Sequence, residues 1–187
     1  MSASQDKWNA RYRNKGTQRR PSVPGYLQHR FKQLRAGSVL DVASGDGAAT
    51  LYLAEHGFEV TALDIAEQGL KRLLGFAQEQ GLQVNTHVRD LEQPNALKGL
   101  AQFDNIVITL YKPEIALWPE LVDHLNPDGR LLLTTFNLTH HEMTGFSRRF
   151  CLAPNELEAI HPNLELLEYS TTNNDNSGMD HYLFQRR

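Results

Sequence analysis

Short apolar runs alternate along the chain with stretches whose apolar positions recur at helical spacing. Ser38 to Val42 reads as a strand, Gly47 to His56 as a helix with Ala48, Leu51, Leu53 and Ala54 apolar, and Glu59 to Leu63 as a second strand. That is a βαβ unit. Leu70, Leu73, Leu74 and Ala77 share one face of the next helix, and a strand at Gln83 to Val88 follows it. Phe103 to Leu110 predicts a fourth strand. Ile115, Trp118, Leu121, Val122 and Leu125 predict a helix face, and Arg130 to Phe136 a fifth strand after the turn Asn126-Pro127-Asp128-Gly129. Strands separated by helices imply a parallel sheet covered on both faces.

The tail breaks this rhythm. Pro154 to Ile160 predicts a short helix, and Leu164 to Thr171 and Met179 to Gln185 predict two strands joined by the turn-rich "TNNDNSG". Consecutive strands without a helix between them predict an antiparallel hairpin at one sheet edge. The expected fold class is therefore α/β: a three-layer, doubly wound, mostly parallel, seven-stranded Rossmann-like sheet with an antiparallel C-terminal strand. Residues 1–36 read as a basic, partly helical arm or lid, and 37–187 as one globular domain without internal repeats.

Composition supports a single domain: 187 residues, 40% hydrophobic and 22% charged, are enough for one sizeable core. No apolar run reaches the ~18 residues of a membrane span, and Met1 to Pro21 lacks the apolar centre of a signal peptide. A cytoplasmic protein is expected, in keeping with the lone Cys151, which permits no internal disulfide. The net charge of -3 conceals an asymmetry, because Met1 to Arg35 carries nine Lys or Arg against one Asp. Those residues are thus at +8 and the remainder at -11. A pI near 6.2 argues against a nucleic-acid-binding domain.

Candidate chemistry concentrates in "VLDVASGDGAATLYLAEHGFEVTALD", Val39 to Asp64. In open parallel sheets, ligands gather at the carboxyl ends of the strands, where the turn after the first strand lies. Gly45 and Gly47 lack Cβ atoms, so the chain can turn sharply and offer N–H groups to a ligand. Asp64, at the end of the second strand, suits a ribose diol. A dinucleotide site would need G-x-G-x-x-G, and the best match here is the degenerate Ala43-x-Gly45-x-x-Ala48. Asp41 and Asp46 beside the turn would repel a pyrophosphate and suit a cationic nucleoside such as S-adenosylmethionine. Read singly, Asp41 and Asp64 are equally well explained as turn or helix caps.

The motifs "VLDVASGDG", "VTALDIA", "VRDLE", "FDNIVITL" and "LNPDGRLLLTTF", in this order, resemble those of the class I S-adenosylmethionine-dependent methyltransferases. Among these the chain resembles the small bacterial tellurite-resistance-like methyltransferases, through its "WNARYR" start and "TTFN" segment. The resemblance implies that S-adenosylmethionine is the cofactor and S-adenosylhomocysteine the product. Asp41 would sit near the methionine moiety, and Ala43, Ser44, Gly45, Asp46 and Gly47 would run under the ligand. Asp64 would bind the ribose hydroxyls, with Ile65 on the adenine face. Asp90 would accept from the adenine amino group, with Leu91 beside it, and Thr109 to Tyr111 would lead into the methyl-transfer region. Trp8, Arg11 and Tyr12 would belong to an N-terminal lid, although Trp8 and Tyr12 at i, i+4 fit a staple to the core equally well.

Two departures stand out. Ala43 replaces the first glycine of the family's G-x-G-x-G turn, a small change if its φ is ordinary. After the fourth strand the chain reads "YKPEIALWP", where the small bacterial relatives often carry a tyrosine-leucine-histidine-arginine run. No catalytic residue is therefore assigned; Tyr111, His140 and His141 are candidates for contact with the acceptor, the two histidines on the loop expected after the fifth strand. His140, His141 and Glu142 do not have metal-like spacing, so no metal is expected. His56 and His124 read as surface helix residues. The acceptor is expected to be a small molecule, with an anionic one favoured by the basic arm. The alternatives are a non-catalytic S-adenosylmethionine-binding regulator and a nicotinamide-dependent oxidoreductase.

Overall fold

The computed structural model describes residues 2–15, 20–174 and 177–187. Five parallel strands form most of one sheet: β1 (Ser38–Val42), β2 (Glu59–Asp64), β3 (Asn85–Val88), β4 (Phe103–Thr109) and β5 (Leu125–Phe136). β6 (Leu164–Asn174) and β7 (Ser177–Arg186) complete it, in the order β3-β2-β1-β4-β5-β7-β6. β7 runs antiparallel to both neighbours, so the expected hairpin forms the sheet edge. Strand order reverses between β1 and β4, which opens a crevice at their carboxyl ends.

Strand alternation sends side chains to two cores. Leu40, Ile106, Leu131 and Tyr182 pack on one face with Trp118 and Leu121 of α5 (Trp118–Asp123). Val39, Val107, Leu132 and Leu183 pack on the other, with Leu27 of α2 (Gly25–Arg30) and Leu53 of α3 (Ala48–Glu55). α4 (Glu67–Glu79) adds Leu70 and Leu73 against Leu51 and Ala62. The N-terminal residues include α1 (Ala3–Asn14), which lies against α4.

Several expectations are corrected. Pro154 to Ile160 is not a helix but a series of turns. Asn155 has φ +59°, and the Glu156 side chain accepts from Ala153 N–H (2.7 Å) and Lys112 Nζ (2.9 Å), an arrangement that closes the segment without helical continuation. Conversely, the "NLTHHE" segment is no loop: α6 (Leu138–Thr144) forms there, capped by the Asn137 side chain, which accepts from His140 N–H. β5 starts at Leu125 rather than Arg130, the turn 126–129 being a bulge between the Phe103–Leu125 and Asn105–Arg130 pairs. The hairpin strands are longer than expected, and Asp175 and Asn176 of the expected turn lie outside the described residues.

Candidate functional site

The turn after β1 is assembled from both sides. Ser44 N–H donates to Leu63 O (2.9 Å), and Gly47 N–H to Ser44 O (2.9 Å). Gly45 and Gly47 have φ +60° and +88°. A Cβ on Gly45 would lie 2.5 Å from Tyr12 Oη, and one on Gly47 would lie 2.3 Å from Leu73 Cδ1, so a side chain at either position would force its neighbour to shift. Ala43 also has positive φ, +57°, so the condition for an easy replacement of the family's glycine is not met. An L-residue there costs roughly 1–2 kcal/mol of backbone strain. Gly47 stands at the N-terminus of α3 without a side-chain cap, which leaves helix N–H groups facing the crevice.

Two carboxylates flank this turn from below. Asp41 is fully buried; Thr50 Oγ1 donates to its Oδ2 at 2.5 Å, while Oδ1 has no partner among the described residues. Burial pushes its pKa up to about 7, against the pull of the Thr50 hydrogen bonds. Asp64 is also buried and accepts from Gly45 N–H (2.8 Å) and Ala66 N–H (2.7 Å), tying the two strand ends together. Burial raises its pKa too, while those backbone donors oppose the rise. Ser44 Oγ is a further buried atom without a partner among the described residues.

Asp46 behaves differently from the expectation that it would add negative charge at the ligand. Its carboxylate meets Lys15 Nζ, just past the end of α1, and Arg72 Nε from α4, each at 3.2 Å. It is a bracket between helices rather than a free charge, and the electrostatic case rests on Asp41 and Asp64. Tyr12 is buried over Gly45 and Gly69, and Asn9 Oδ1 accepts from Gln68 N–H at the start of α4 (2.9 Å). Trp8 stacks on Tyr12, and Arg11 lies exposed over the Trp8 ring. Burial raises the Tyr12 pKa, with Asp64 and Asp46 adding to the effect, so its hydroxyl keeps its proton.

Further along the edge, Asp90 is half-buried and accepts from Glu92 N–H through Oδ1 (3.1 Å). Leu91 is buried beside it and Ile65 half-buried. A cleft of about 330 Å³ opens here, lined by Val88, Asp90, Pro94 and Asn95. A larger one of about 880 Å³ lies at the amino ends of β2 and β3, far from the turn. Thr109 ends β4, and Tyr111 follows it half-buried. Burial raises the Tyr111 pKa, reinforced by Glu92, Glu114, Asp90 and Asp64, which places the phenol among the site's carboxylates and keeps it protonated.

After β5, the His140 ring stacks on Phe136 (centroids 4.2 Å apart) and Phe146 leans on both. His140 Nδ1 is buried without a partner among the described residues, and burial lowers its pKa. His141 is turned away, its Nδ1 bonded to Phe146 O at 2.6 Å. The two histidines thus do not act together. No group of three or more His, Cys, Asp or Glu side chains is gathered for a metal among the described residues.

A family profile described as "Methyltransferase domain" matches residues 39–129. With the strand order, this makes the chain similar to the class I S-adenosylmethionine-dependent methyltransferases. The probable S-adenosyl-L-methionine-dependent methyltransferase TehB of Haemophilus influenzae is 28% identical over 166 residues, 86% of this chain and 56% of that protein. A ubiquinone biosynthesis O-methyltransferase of Caulobacter sp. is 33% identical over 108 residues, 58% of this chain and 37% of that protein. The chain spans about half the length, or less, of these curated relatives. The crystal structure of TehB from Haemophilus influenzae matches with a TM-score of 0.71 at 20% identity, covering 98% of this chain and 67% of that one. Magnesium protoporphyrin IX methyltransferase of Synechocystis with bound SAH gives 0.69 at 17%, covering 98% and 84%. At these identities the solved structures show a shared fold.

The site also contains residues that pattern reading passed over. Thr50, Lys15 and Arg72 secure Asp41 and Asp46 but look in the sequence like ordinary helix residues. Gly69 carried a usable signal, as a lone glycine in a helical pattern often marks close approach; a Cβ there would lie 2.7 Å from Gly45 O. His181 is buried between Thr134 and Thr172 at 2.7 and 3.0 Å, a core histidine with no sequence signature. His56 is exposed, as expected, and His124 is half-buried at the end of α5.

Proposed function

We propose that this protein is an S-adenosylmethionine-dependent methyltransferase acting on a small-molecule acceptor, with S-adenosylhomocysteine as product. The observation that carries this reading is the pair of buried carboxylates, Asp41 and Asp64, set under a glycine turn whose helix N-terminus has no side-chain cap. The residues present fit a cationic nucleoside. Asp41 Oδ1 and Ser44 Oγ are buried polar atoms without partners among the described residues, and a positive ligand would draw Asp41 to its ionised form. A pyrophosphate in the same place would meet two buried acids, which counts against a nicotinamide cofactor.

When bound, the cofactor supplies a methyl group on an already activated sulfonium. Asp41 would hold its methionine end, with Ala43, Ser44, Gly45, Asp46 and Gly47 shaping the turn beneath. Asp64 has lone pairs left after its two backbone bonds and would accept the ribose hydroxyls. Asp90, with one oxygen engaged by Glu92, would offer the other to the adenine amino group beside Ile65 and Leu91. Thr109 and Tyr111 line the path to the acceptor, Tyr111 as a hydrogen-bond donor because it stays protonated. α1, bolted down by Lys15, Asn9 and Tyr12, is the lid that excludes water, and residues 1–36 act with it around the domain at 37–187. Orientation at ~3 Å and exclusion of water then provide most of the rate. A general base is needed only for an acceptor that holds its proton, and His140, kept neutral, is the candidate closest to that task.

An anionic acceptor is favoured by Arg148 and Arg149 beside α6. The relatives' names, O-methylation in ubiquinone biosynthesis among them, point to small molecules. No helix is long and apolar enough to cross a membrane among the described residues, and we place the protein in the cytoplasm. Calorimetry with S-adenosylmethionine and with NADH tests the reading. S-adenosylmethionine should bind and NADH should not, and Asp64→Ala should weaken binding by roughly 1–3 kcal/mol, the scale of lost hydrogen bonds to a charged group. Tight NADH binding without S-adenosylmethionine binding would overturn the assignment. Failure of every acceptor to release S-adenosylhomocysteine would favour a regulator.

A further inference from the structure

We infer that the acceptor is a planar aromatic acid, gripped by the ring wall of Phe136, His140, Phe146 and Phe150 and met at its anionic group by Arg148. This rests on the proposed function and specifies its acceptor. The wall stands at the end of β5, one strand from Tyr111: Leu110 N–H donates to Thr134 O at 2.8 Å, and Phe136 lies two residues beyond Thr134. The rings form a continuous series, with centroids 4.2 Å apart for Phe136–His140, 5.0 Å for Phe136–Phe146 and 6.1 Å for Phe146–Phe150. Arg149 reaches Glu92 at 3.8 Å, so the wall's far end leans over the Asp90 loop and faces the same crevice.

These rings do not serve the core. Phe146 is 37% exposed, Phe150 38% and neighbouring Met143 43%, although large apolar side chains elsewhere in the domain are mostly sealed. His140 contributes a face rather than a charge, since burial holds it neutral and leaves Nδ1 without a partner among the described residues. Flat π surfaces favour a flat π ligand through offset stacking.

The surrounding cations narrow the ligand further. Lys112 is committed to Glu156 (2.7 Å) and Cys151 O (3.0 Å). Arg149 is shared between Glu92 and the Phe150 ring, 4.6 Å away. Arg148 is exposed and has no carboxylate partner among the described residues. One available guanidinium, on the short turn that also carries Phe150, fits an aromatic ring bearing a carboxylate. A bare inorganic oxyanion would need several converging donors, and this wall presents carbon.

The test uses the full chain saturated with S-adenosylhomocysteine, titrated by calorimetry with naphthoate, cyclohexanecarboxylate and selenite. Naphthoate should bind at least about fivefold more tightly than cyclohexanecarboxylate, and selenite should give no heat. Phe146→Leu, which keeps apolar bulk but removes the ring, should weaken naphthoate about fivefold, and Arg148→Gln should weaken it severalfold. Both variants should bind S-adenosylhomocysteine within about twofold of the parent chain, which shows that they are folded. Equal binding of the flat and saturated acids, selenite binding in their place, no binding of any probe, or indifference to Phe146→Leu overturns the aromatic assignment alone. If S-adenosylhomocysteine itself fails to bind, the methyltransferase reading falls, and this inference with it.

Discussion

Around residues 43–47 the carboxylates are sealed and held, with Asp64 accepting from the backbone of Gly45 and Ala66 and Asp41 from the Thr50 hydroxyl. Past β4 and β5 the opposite holds: Leu110 is 52% exposed, the Phe146 and Phe150 rings are open, and Tyr111 is held by packing. The first region is stiff because backbone geometry permits few alternatives there. The second consists of side chains on short helices and turns, so it can change its chemistry without disturbing the sheet. Substitutions should therefore cost stability on the cofactor side and specificity on the acceptor side.

The largest expected effect tests how strongly the cofactor side is strained without ligand. Asp41 has its folded pKa raised to about 7 from an ordinary 3.8. Below pH 4 both folded and unfolded forms are protonated, so its stabilising contribution is fully present there. As pH rises, the unfolded chain ionises first, and that contribution falls until the folded group ionises near pH 7. A rise from 3.8 to about 7 corresponds to about 4 kcal/mol. Asp41→Asn should remove this loss, so urea titrations without ligand should find the variant more stable than the parent at pH 7 but not at pH 4. Equal pH dependence in both proteins would show that Asp41 is not the strained group.

This asymmetry also decides what was legible in the sequence. The glycine turn, the strand-end aspartates and the alternation of strands and helices obey short-range rules, so β1, α3, β2 and the hairpin edge can be read from periodicity and turn chemistry. The φ of Ala43 could not be, because alanine ordinarily avoids the left-handed region and only the packed turn forces it there. Nor could the bracketing of Asp46, which depends on Lys15 and Arg72, 31 and 26 residues away in sequence. Past β5, "NLTHHE" forms a helix because of the Asn137 cap, and Asn137 is itself held by Asp180 from β7 at 2.9 Å. Pattern reading has no access to such a distant contact.

A second expected effect, about 3 kcal/mol, concerns Gly47→Ala. The new methyl would meet Leu73 and the residue would be held at φ +88°, so overpacking and backbone strain add. Chemical denaturation of the variant should show the loss directly. A loss below about 1 kcal/mol would mean that α4 can move away from the turn, and the cofactor side would then be less rigid than its geometry indicates. Smaller and opposite in sign is Ala43→Gly, which relieves the left-handed strain but frees the unfolded chain. The net gain should be about 0.5–1 kcal/mol in the same measurement. A destabilised variant would mean that the Ala43 methyl, packed against the main core, contributes more than the strain removes.

The smallest effect belongs to the acceptor side. His140→Phe keeps a ring against Phe136 and Phe146 and deletes a buried nitrogen that has no partner among the described residues. Stability should change by no more than about 0.5 kcal/mol, because stacking is kept and an uncompensated polar atom is lost. Affinity for S-adenosylhomocysteine, measured by calorimetry, should also be unchanged, since the ring stands beyond β4 from the turn. If the variant instead loses more than about 1 kcal/mol, the imidazole has a hydrogen-bonding role in the fold, and the two sides are less separable than their burial suggests. If stability and cofactor affinity both hold while turnover with a hydroxyl acceptor falls, the imidazole serves the acceptor and its proton. That outcome would put specificity and proton transfer on the same open wall, two strands away from the sealed turn proposed to hold the cofactor.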